Sequence, residues 1–253
     1  MAHNATQPPL PDYDQALQTI LMHAPRLRTE RVALSEVLGR VLRQDVAADR
    51  DQPPFDRSAM DGFAVRSESF DRATCYTVIG TGAAGAPIGT FDAAADQVVR
   101  IATGAPVPAG FDAVVPIEQA DVQCNGDAER VRFRVESCQP WKNVHRCASD
   151  ATRGQVVLRA GTRLAPHHIG IAAAVGATQL DVAERPRICV LTSGDEVQPT
   201  EVAADQLEPQ QIRNSNGPML ASFFEVLGTP VLDCVHIPDE PEQTLAATRE
   251  ALG

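Results

Sequence analysis

The spacing of apolar residues changes along this chain, and the change divides it into regions of different architecture. Between Phe63 and about Glu136, short strand-like runs alternate with turns rich in glycine and proline, which is typical of an all-β domain. From Arg187 onward the pattern becomes strand, helix, strand and helix, the opening of a doubly wound α/β sheet. The 253 residues suffice for two or three domains. We therefore expect a multidomain fold of the α+β and α/β classes.

The β region is predicted from four runs of β-branched and apolar residues. These runs are Cys75–Ile79, Gln97–Ala102, Asp112–Ile117 and Val131–Val135. Turn sequences separate them at residues 80–87, at residues 103–110 and at Asn125–Gly126. We expect residues 54–149 to form a compact β domain inserted into the rest of the chain.

Helical signals lie before the β domain. Asp12 is placed to cap a helix that runs to about Met22 and ends before Pro25. Ser35 is placed to cap a second short helix. The apolar residues of this second helix would be Val37, Leu38, Val41 and Leu42.

After the β domain, Val156–Leu158 is predicted to be a strand, and Pro166 opens a helix that ends at Gly176. These elements most simply rejoin the helices that precede the β domain. We therefore expect residues 12–53 and 150–182 to form one helical and β region.

The last third begins with a short apolar strand, Arg187–Thr192, followed directly by Ser193–Glu196. The C-terminal end of such a strand is where open α/β sheets bind ligands. The remaining elements are a helix that starts within Asn214–Met219 and ends at Gly228, a strand at Val231–Ile237 and a helix capped by Asp239. Two parallel strands bury neither face of a sheet. We expect residues 183–253 to be an incomplete domain, either continued beyond Gly253 or completed in another way by a shortened protein.

The chain is acidic, with 33 Asp and Glu residues against 22 Lys and Arg residues and a formal net charge of -11. Such a surface repels phosphate backbones and anionic lipids, so we expect no nucleic-acid partner and no membrane. The N-terminal sequence lacks the basic and apolar regions of a signal peptide. The expected location is cytoplasmic, and an anionic substrate would need a local basic patch.

The loop Gln52–Val65 is the first candidate for a functional site. Two prolines direct its backbone away from helix, and Asp56 and Asp61 lie five positions apart, with Gly62 relieving the backbone beside the second. Loops that place a carboxylate in this way often carry function. A proline-stiffened linker whose aspartates cap turns explains the same residues equally well.

Two further segments carry weaker signals. Thr103–Pro106 places a hydroxyl and flexible main-chain N–H groups at the end of a strand, where they can contact an oxyanion or phosphate, although a turn alone explains the sequence. Trp141–Arg146, with Asp150 and Arg153, forms a basic cluster. This cluster can bind an anion, with Asp150 orienting a basic neighbour or a metal, or it can be a solvated crossover.

Three motifs together resemble the molybdopterin molybdenumtransferases, the family of MoeA and the gephyrin E domain. The motifs are Pro53–Ala64, Thr103–Gly110 and Thr192–Val197. The first is highly specific, and the order and spacing of all three fit the family over nearly the whole chain from Asp12 onward. The resemblance implies that residues 183–253 begin a MogA-like, molybdopterin-binding α/β domain and that residues 12–53 with 150–182 form an elongated dimerisation region.

The resemblance also implies an activity, the Mg²⁺-dependent insertion of molybdate into adenylylated molybdopterin with release of AMP. It implies an elongated homodimer whose active site lies between the α/β domain of one subunit and the β domain of the other. Further partners would be a molybdopterin adenylyltransferase and the molybdoenzymes that receive the cofactor. The alternative is a shortened, non-catalytic relative that acts as a dimeric binding or scaffold protein.

Position within the family's motifs assigns candidate roles to individual residues. The catalytic residues would be Asp61, Thr103, Asp150 and Glu196. The cofactor-binding residues would be Arg146, Ser193, Gly194, Asp195 and Asn216. The metal ligands would be Asp61, Glu196 and Asp239. These residue types suit the chemistry, because Mg²⁺ prefers hard oxygen ligands and neutralises the charge of a pyrophosphate.

The chain departs from the family pattern in two ways. Asn143–Asp150 lacks an arginine, a glycine and a glutamate of the family's basic stretch, while Arg57 and Gly217 replace a usual asparagine and a usual arginine. The family's loops that bind the pterin and molybdate would lie beyond Gly253. We therefore expect the 253 residues by themselves to lack a complete active site.

Overall fold

The computed structural model describes residues 11–125 and 128–252, so the predicted turn residue Gly126 lies outside the described residues. The helices are α1 (Tyr13–His23), α2 (Pro166–Ala174), α3 (Asn216–Val226) and α4 (Pro241–Leu252). The strands are β1 (Thr29–Ala33), β2 (Val46–Ala47), β3 (Arg57–Ser58), β4 (Gly62–Val65), β5 (Tyr76–Gly82), β6 (Gln97–Ile101), β7 (Ala113–Pro116), β8 (Ala120–Asn125), β9 (Ala128–Phe133), β10 (Val144–His145), β11 (Val156–Leu158), β12 (Gln179–Ala183), β13 (Ile188–Ser193), β14 (Val197–Gln198), β15 (Ile212–Arg213) and β16 (Val231–Ile237). Short 3-10 helices lie at Leu34–Glu36, Ile117–Gln119 and Ala204–Gln206. Within the described ranges, every helix is too short or too polar to cross a membrane.

The described residues divide into two compact units. Those within Met1–Gln44, Gly161–Pro166 and Gln179–Gly253 form the α/β unit, and those within Asp45–Ala160 and His167–Thr178 form the β unit. The predicted combination of α+β and α/β architecture is confirmed. The division into residues 12–53 with 150–182, 54–149 and 183–253 stays a prediction.

The β unit is built on a six-stranded sheet with the strand order β7-β4-β6-β5-β9-β8. Strands β5 and β6 are parallel, and the other neighbours are antiparallel. The four strand runs predicted in this region are confirmed. Strand β8 was not predicted, although it pairs with β9 along its whole length.

Both faces of this sheet are covered by apolar side chains. Phe63 and Val65 of β4 belong to one buried cluster, and Ala64 between them belongs to another, as the alternation of side chains along a strand requires. The Phe63 ring is fully buried and packs edge-on against Phe133, with ring centroids 5.8 Å apart. The position of β4 is therefore fixed from both sides.

Gly62 is the residue of β4 that pairs with Pro116 of β7. A Cβ atom added at this position would lie 2.0 Å from the carbonyl oxygen of Val115, far inside van der Waals contact. Only glycine allows the two main chains to pair here. The glycine that follows Asp61 is thus required by sheet packing.

The α/β unit contains the predicted order of strand, helix, strand and helix. Strands β13 and β16 pair in parallel, with Ser193 opposite Ile237, and α3 and α4 follow the two strands in turn. At the start of the unit, the Asp12 carboxylate accepts a hydrogen bond from the Gln15 N–H at 2.8 Å, which confirms the predicted N-cap of α1. The unit also contains the antiparallel pair β1 and β12, which was not predicted.

The second short helix expected after Ser35 is not formed. Only a single 3-10 turn is present at Leu34–Glu36, and Gly39 has a φ of 76°, which ends any helical path. The main-chain N–H groups of Gly39 and Leu42 instead donate to the carbonyls of Leu164 and Thr162. The conformation of this segment is therefore set by its hydrogen bonds to residues 162–164, and the side chain of Leu38 is 55% exposed.

We expect Gly62→Ala to destabilise the protein by about 2 kcal/mol or more, because the new methyl group overlaps a main-chain carbonyl. Gly170→Ala in α2 is the matched control, since its added Cβ meets nothing within 4 Å and alanine favours helix by up to about 1 kcal/mol. The free energy of unfolding in urea measures both effects. Equal stability of Gly62→Ala and the parent protein would contradict this account of β4.

Candidate functional site

The prolines and aspartates of residues 52–61 lie beside the turn that carries Thr103. The Ser58 N–H donates to the Ala105 carbonyl at 2.9 Å, and the Gly104 N–H donates to the Ser58 carbonyl at 2.8 Å. A third bond runs from the Val107 N–H to the Asp56 carbonyl at 2.9 Å. These main-chain bonds join two segments that sequence analysis could only treat separately.

Asp61 and Thr103 meet at this junction. Asp61 Oδ1 accepts from the Thr103 N–H at 2.7 Å and from the Thr103 hydroxyl at 3.0 Å. Both bonds lower the pKa of the exposed Asp61 carboxyl below its ordinary value, because both favour the charged form. The main-chain bond has the larger effect and the hydroxyl bond the smaller one. At neutral pH the protein therefore presents a fixed carboxylate immediately before β4.

The basic stretch lies against the same proline loop. Strand β10 pairs with β3, and the N–H groups of Ala148 and Asp150 donate to the carbonyls of Pro53 and Gln52 at 3.0 and 2.9 Å. The Asp150 carboxylate lies 2.9 Å from Nε2 of His145. The β unit thus brings Asp61, Thr103 and Asp150 onto adjoining loops.

Arg146 belongs to this stretch and is exposed. The centre of its guanidinium group lies 4.2 Å from the centroid of the Trp141 ring, which is a cation–π contact. The contact orients the side chain and leaves its positive charge available to an anion. Arg146 is therefore an exposed cation whose side chain is oriented beside the loops of the β unit.

The second group of predicted residues lies in the α/β unit, at the C-terminal ends of β13 and β16. Because the strands are parallel, Ser193–Glu196 and Asp239 emerge at the same edge of the sheet. The Asp239 N–H donates to Asp195 Oδ1 at 3.1 Å. This bond brings together two of the predicted acidic residues.

Gly194 shapes the turn after β13. Its φ of 134° is one that side chains rarely allow, and an added Cβ would lie 2.8 Å from Glu196 Oε2 and 2.9 Å from Val197 Cγ2. The glycine therefore lets the Glu196 carboxylate fold back over the turn.

Asn214 connects the end of β13 to the start of α3, a role that sequence analysis missed. Its Nδ2 donates to the Thr192 hydroxyl at 3.0 Å, and its Oδ1 accepts from the Gly217 N–H at 2.9 Å. The second bond caps the first turn of the helix. No motif singled out Asn214, which lies one position before the N-cap residue Ser215.

A cavity of about 500 Å³ lies between the end of β13 and the start of α3. Leu191 and Met219 are among its apolar residues, and its polar residues are Thr192, Ser193, Arg213, Asn214, Ser215 and Asn216. This size and composition are typical of a small-molecule site. Ser193 and Asn216 are the predicted cofactor-binding residues that line the cavity.

The predicted metal ligands are distributed between the units, with Asp61 in the β unit and Glu196 and Asp239 in the α/β unit. Among residues 11–125 and 128–252, no group of three or more His, Cys, Asp and Glu side chains is close enough to hold a metal ion. Mg²⁺ does not need such a cage, because it usually binds to one or two carboxylates together with substrate phosphates and water. The carboxylates present fit Mg²⁺ in this shared mode of binding.

Comparison with known proteins connects these groups to a family. The family described as the MoeA N-terminal region (domain I and II) matches residues 11–176. A second family, described as a probable molybdopterin binding domain, matches residues 189–253. The resemblance inferred from the three motifs is confirmed.

Individual relatives are consistent with these two families. A molybdopterin molybdenumtransferase of Synechococcus elongatus is 36% identical over 245 residues, which cover 94% of this chain and 59% of that protein. One of Bacillus subtilis is 36% identical over 256 residues, covering 96% of this chain and 56% of that protein. Gephyrin of Dictyostelium discoideum is 28% identical over 237 residues. The chain therefore spans little more than half the length of the first two relatives.

Solved structures agree with the sequence comparison. The molybdopterin biosynthesis MoeA protein of Pyrococcus horikoshii matches with a TM-score of 0.77 and 29% identity, covering 94% of this chain and 64% of that one. A second structure of a protein with this description matches with a TM-score of 0.71 and 28% identity. Fold and sequence thus lead to the same family.

We expect Thr103→Val to raise the pKa of Asp61 part of the way toward its ordinary value of 3.8, because the hydroxyl bond is lost while the stronger main-chain bond remains. An NMR titration of the Asp61 carboxyl carbon measures the change. Thr200→Val is the control, since the Thr200 hydroxyl donates to Glu201 and does not contact Asp61. An unchanged Asp61 titration in Thr103→Val would show that the hydroxyl bond does not affect the pKa of Asp61 in solution.

Proposed function

This chain belongs to the MoeA family, and we propose that it takes part in molybdenum cofactor biosynthesis as a molybdopterin molybdenumtransferase. The proposed reaction inserts molybdate into adenylylated molybdopterin and releases AMP. The observation that carries the proposal is the Asp61–Thr103 pair, an exposed carboxylate with a lowered pKa, held in the motif by which the family was recognised. A fixed anion of this kind suits a reaction in which a phosphoanhydride is hydrolysed.

The roles of the side chains follow from their contacts. Asp61, ionised and held by Thr103, can orient an attacking water or share a cation with the substrate phosphates. Arg146, resting on Trp141, is placed to bind a phosphate. When bound, Mg²⁺ would neutralise the pyrophosphate charge in the transition state.

The residues of the α/β unit would bind the molybdopterin part of the substrate. Ser193 and Asn216 line the cavity beside β13, and Asp195 is held by the Asp239 N–H at the neighbouring strand end. Glu196 and Asp239 supply the hard oxygen atoms that suit Mg²⁺. A homodimer, a molybdopterin adenylyltransferase as supplier of substrate and molybdoenzymes as acceptors of the cofactor are the proposed partners.

We expect Asp61→Asn to slow AMP release on the order of a hundredfold, because the amide carries no charge to orient water or a cation. The assay supplies adenylylated molybdopterin, Mg²⁺ and molybdate, and separates AMP by chromatography. The protein is assayed together with the C-terminal region that its longer relatives carry. Without that region we expect no release, and release by the 253 residues alone would refute our placement of the site.

Two controls accompany this assay. Glu68→Gln neutralises another exposed carboxylate of the β unit and should leave AMP release unchanged. The melting temperature of Asp61→Asn should stay near that of the parent protein, because the amide oxygen can still accept from the Thr103 N–H. Unchanged turnover in Asp61→Asn, or loss of its folded state, would contradict a chemical role for this residue.

The alternative function is that of a non-catalytic, dimeric binding or scaffold protein. The observation that favours it is the apolar surface of α1, where Tyr13, Ile20 and Met22 are 79%, 66% and 74% exposed. Sedimentation velocity and molybdopterin binding separate the two functions. A dimer that binds molybdopterin but releases no AMP when the C-terminal region is supplied would support the scaffold function.

A further inference from the structure

The segment that carries Arg146 has an unusual backbone. Trp141, Asn143 and Ala148 have φ angles of 64°, 56° and 61°, in the left-handed region that residues with side chains rarely occupy. Such conformations persist only where surrounding contacts hold them. The contacts that hold this segment therefore decide where Arg146 lies.

Hydrogen bonds to other segments hold each of these positions. The Trp141 N–H donates to the Asp112 carbonyl at 2.6 Å, and Asn143 Nδ2 donates to the Val114 carbonyl at 2.8 Å. At the other end, the Ala148 N–H donates to the Pro53 carbonyl. Cys147, between Arg146 and Ala148, also donates its N–H, but the acceptor is a charged side chain and not a main-chain carbonyl.

That acceptor is Asp56. Its Oδ1 accepts from the Cys147 N–H at 2.7 Å, across 91 residues of sequence. A hydrogen bond to a carboxylate is shorter and stronger than one between neutral groups. The main-chain carbonyl of Asp56 also accepts from the Val107 N–H at 2.9 Å, in the turn that carries Thr103. One residue thus connects the two loops.

We propose that Asp56 is a positioning residue, which holds Arg146 against Trp141 by fixing the main chain at Cys147. Arg146 is then fixed twice, through its guanidinium group on the indole ring and through the peptide that follows it. Its charge is presented to a phosphate or pyrophosphate group beside the turn of Thr103. The anion-binding part of this inference rests on the proposed function, whereas the positioning part does not.

The chain contains one tryptophan, so its fluorescence reports directly on the Arg146 contact. In Asp56→Ala we expect acrylamide quenching of Trp141 to rise to the level seen in Arg146→Ala, because the guanidinium group no longer covers the ring. We also expect the Cys147 amide to exchange its hydrogen about tenfold faster or more. Asp56→Asn keeps an acceptor oxygen, and both of its values should lie between those of the parent protein and Asp56→Ala.

Asp45→Ala is the matched control. Asp45 Oδ1 accepts from the Ala160 N–H at 2.8 Å, which is the same kind of bond within the same unit and away from Arg146. This variant should leave Trp141 quenching and Cys147 exchange unchanged. If Asp56→Ala does not fold, Asp56→Asn alone decides the matter, since unchanged exchange of Cys147 there would overturn the proposal.

A titration with inorganic pyrophosphate in the presence of Mg²⁺ tests the anion-binding part. We expect a saturable change in Trp141 fluorescence in the parent protein, its loss in Arg146→Ala, and binding about tenfold weaker in Asp56→Ala. In the AMP assay, Asp56→Ala should raise KM and leave kcat nearly unchanged. If Trp141 quenching and Cys147 exchange in Asp56→Ala equal those of the parent protein, the positioning role is refuted. If both rise as expected but the parent protein does not bind pyrophosphate, the anion site of the proposed function is refuted instead.

Discussion

The burial of β4 between β6 and β7 fixes the carboxylate on which the candidate site depends. All four residues of Gly62–Val65 are buried, and Gly62 lets β7 approach within a distance that no side chain would allow. Asp61 directly precedes this strand and is itself exposed. A charged group at the end of a buried strand is held by the packing of its neighbours while it stays in contact with water. Chemistry on an anionic substrate needs that combination.

Within each unit, carboxylates connect separate loops by accepting hydrogen bonds from main-chain N–H groups. The bonds are Asp61 to Thr103, Asp56 to Cys147 and Asp195 to Asp239. Each of them connects segments that are more than 40 residues apart in the sequence. At Asp61 the bonds from Thr103 also lower the pKa of the carboxyl, while they hold the turn that carries Thr103. Asp56, Asp61 and Asp195 therefore each hold a segment of main chain in place, beside any chemical role.

The sequence predicted those elements whose signals are local. These elements are the strands of the β domain, the cap of α1 and the order of strands and helices after Arg187. Each is indicated by residues within a few positions of one another. The helix expected after Ser35 failed because Gly39 and Leu42 take their hydrogen-bond partners from residues 162–164. The Asp56–Cys147 and Asn214–Thr192 bonds were missed for the same reason, since they span 91 and 22 residues of sequence. The bond from the Gly217 N–H to Asn214 spans only three residues and was missed although it is local.

With a formal net charge of -11, an anionic substrate depends on locally exposed cations. Several arginines are already paired with carboxylates, among them Arg40 with Glu30, Arg72 with Glu136, Arg100 with Glu129 and Arg134 with Asp121. In the described part of the chain, the side-chain contact of Arg146 is with the Trp141 ring instead. An aromatic face orients a guanidinium group without neutralising it. The indole ring therefore orients Arg146 while its guanidinium group stays exposed to solvent, which is the arrangement that recognition of an anion needs.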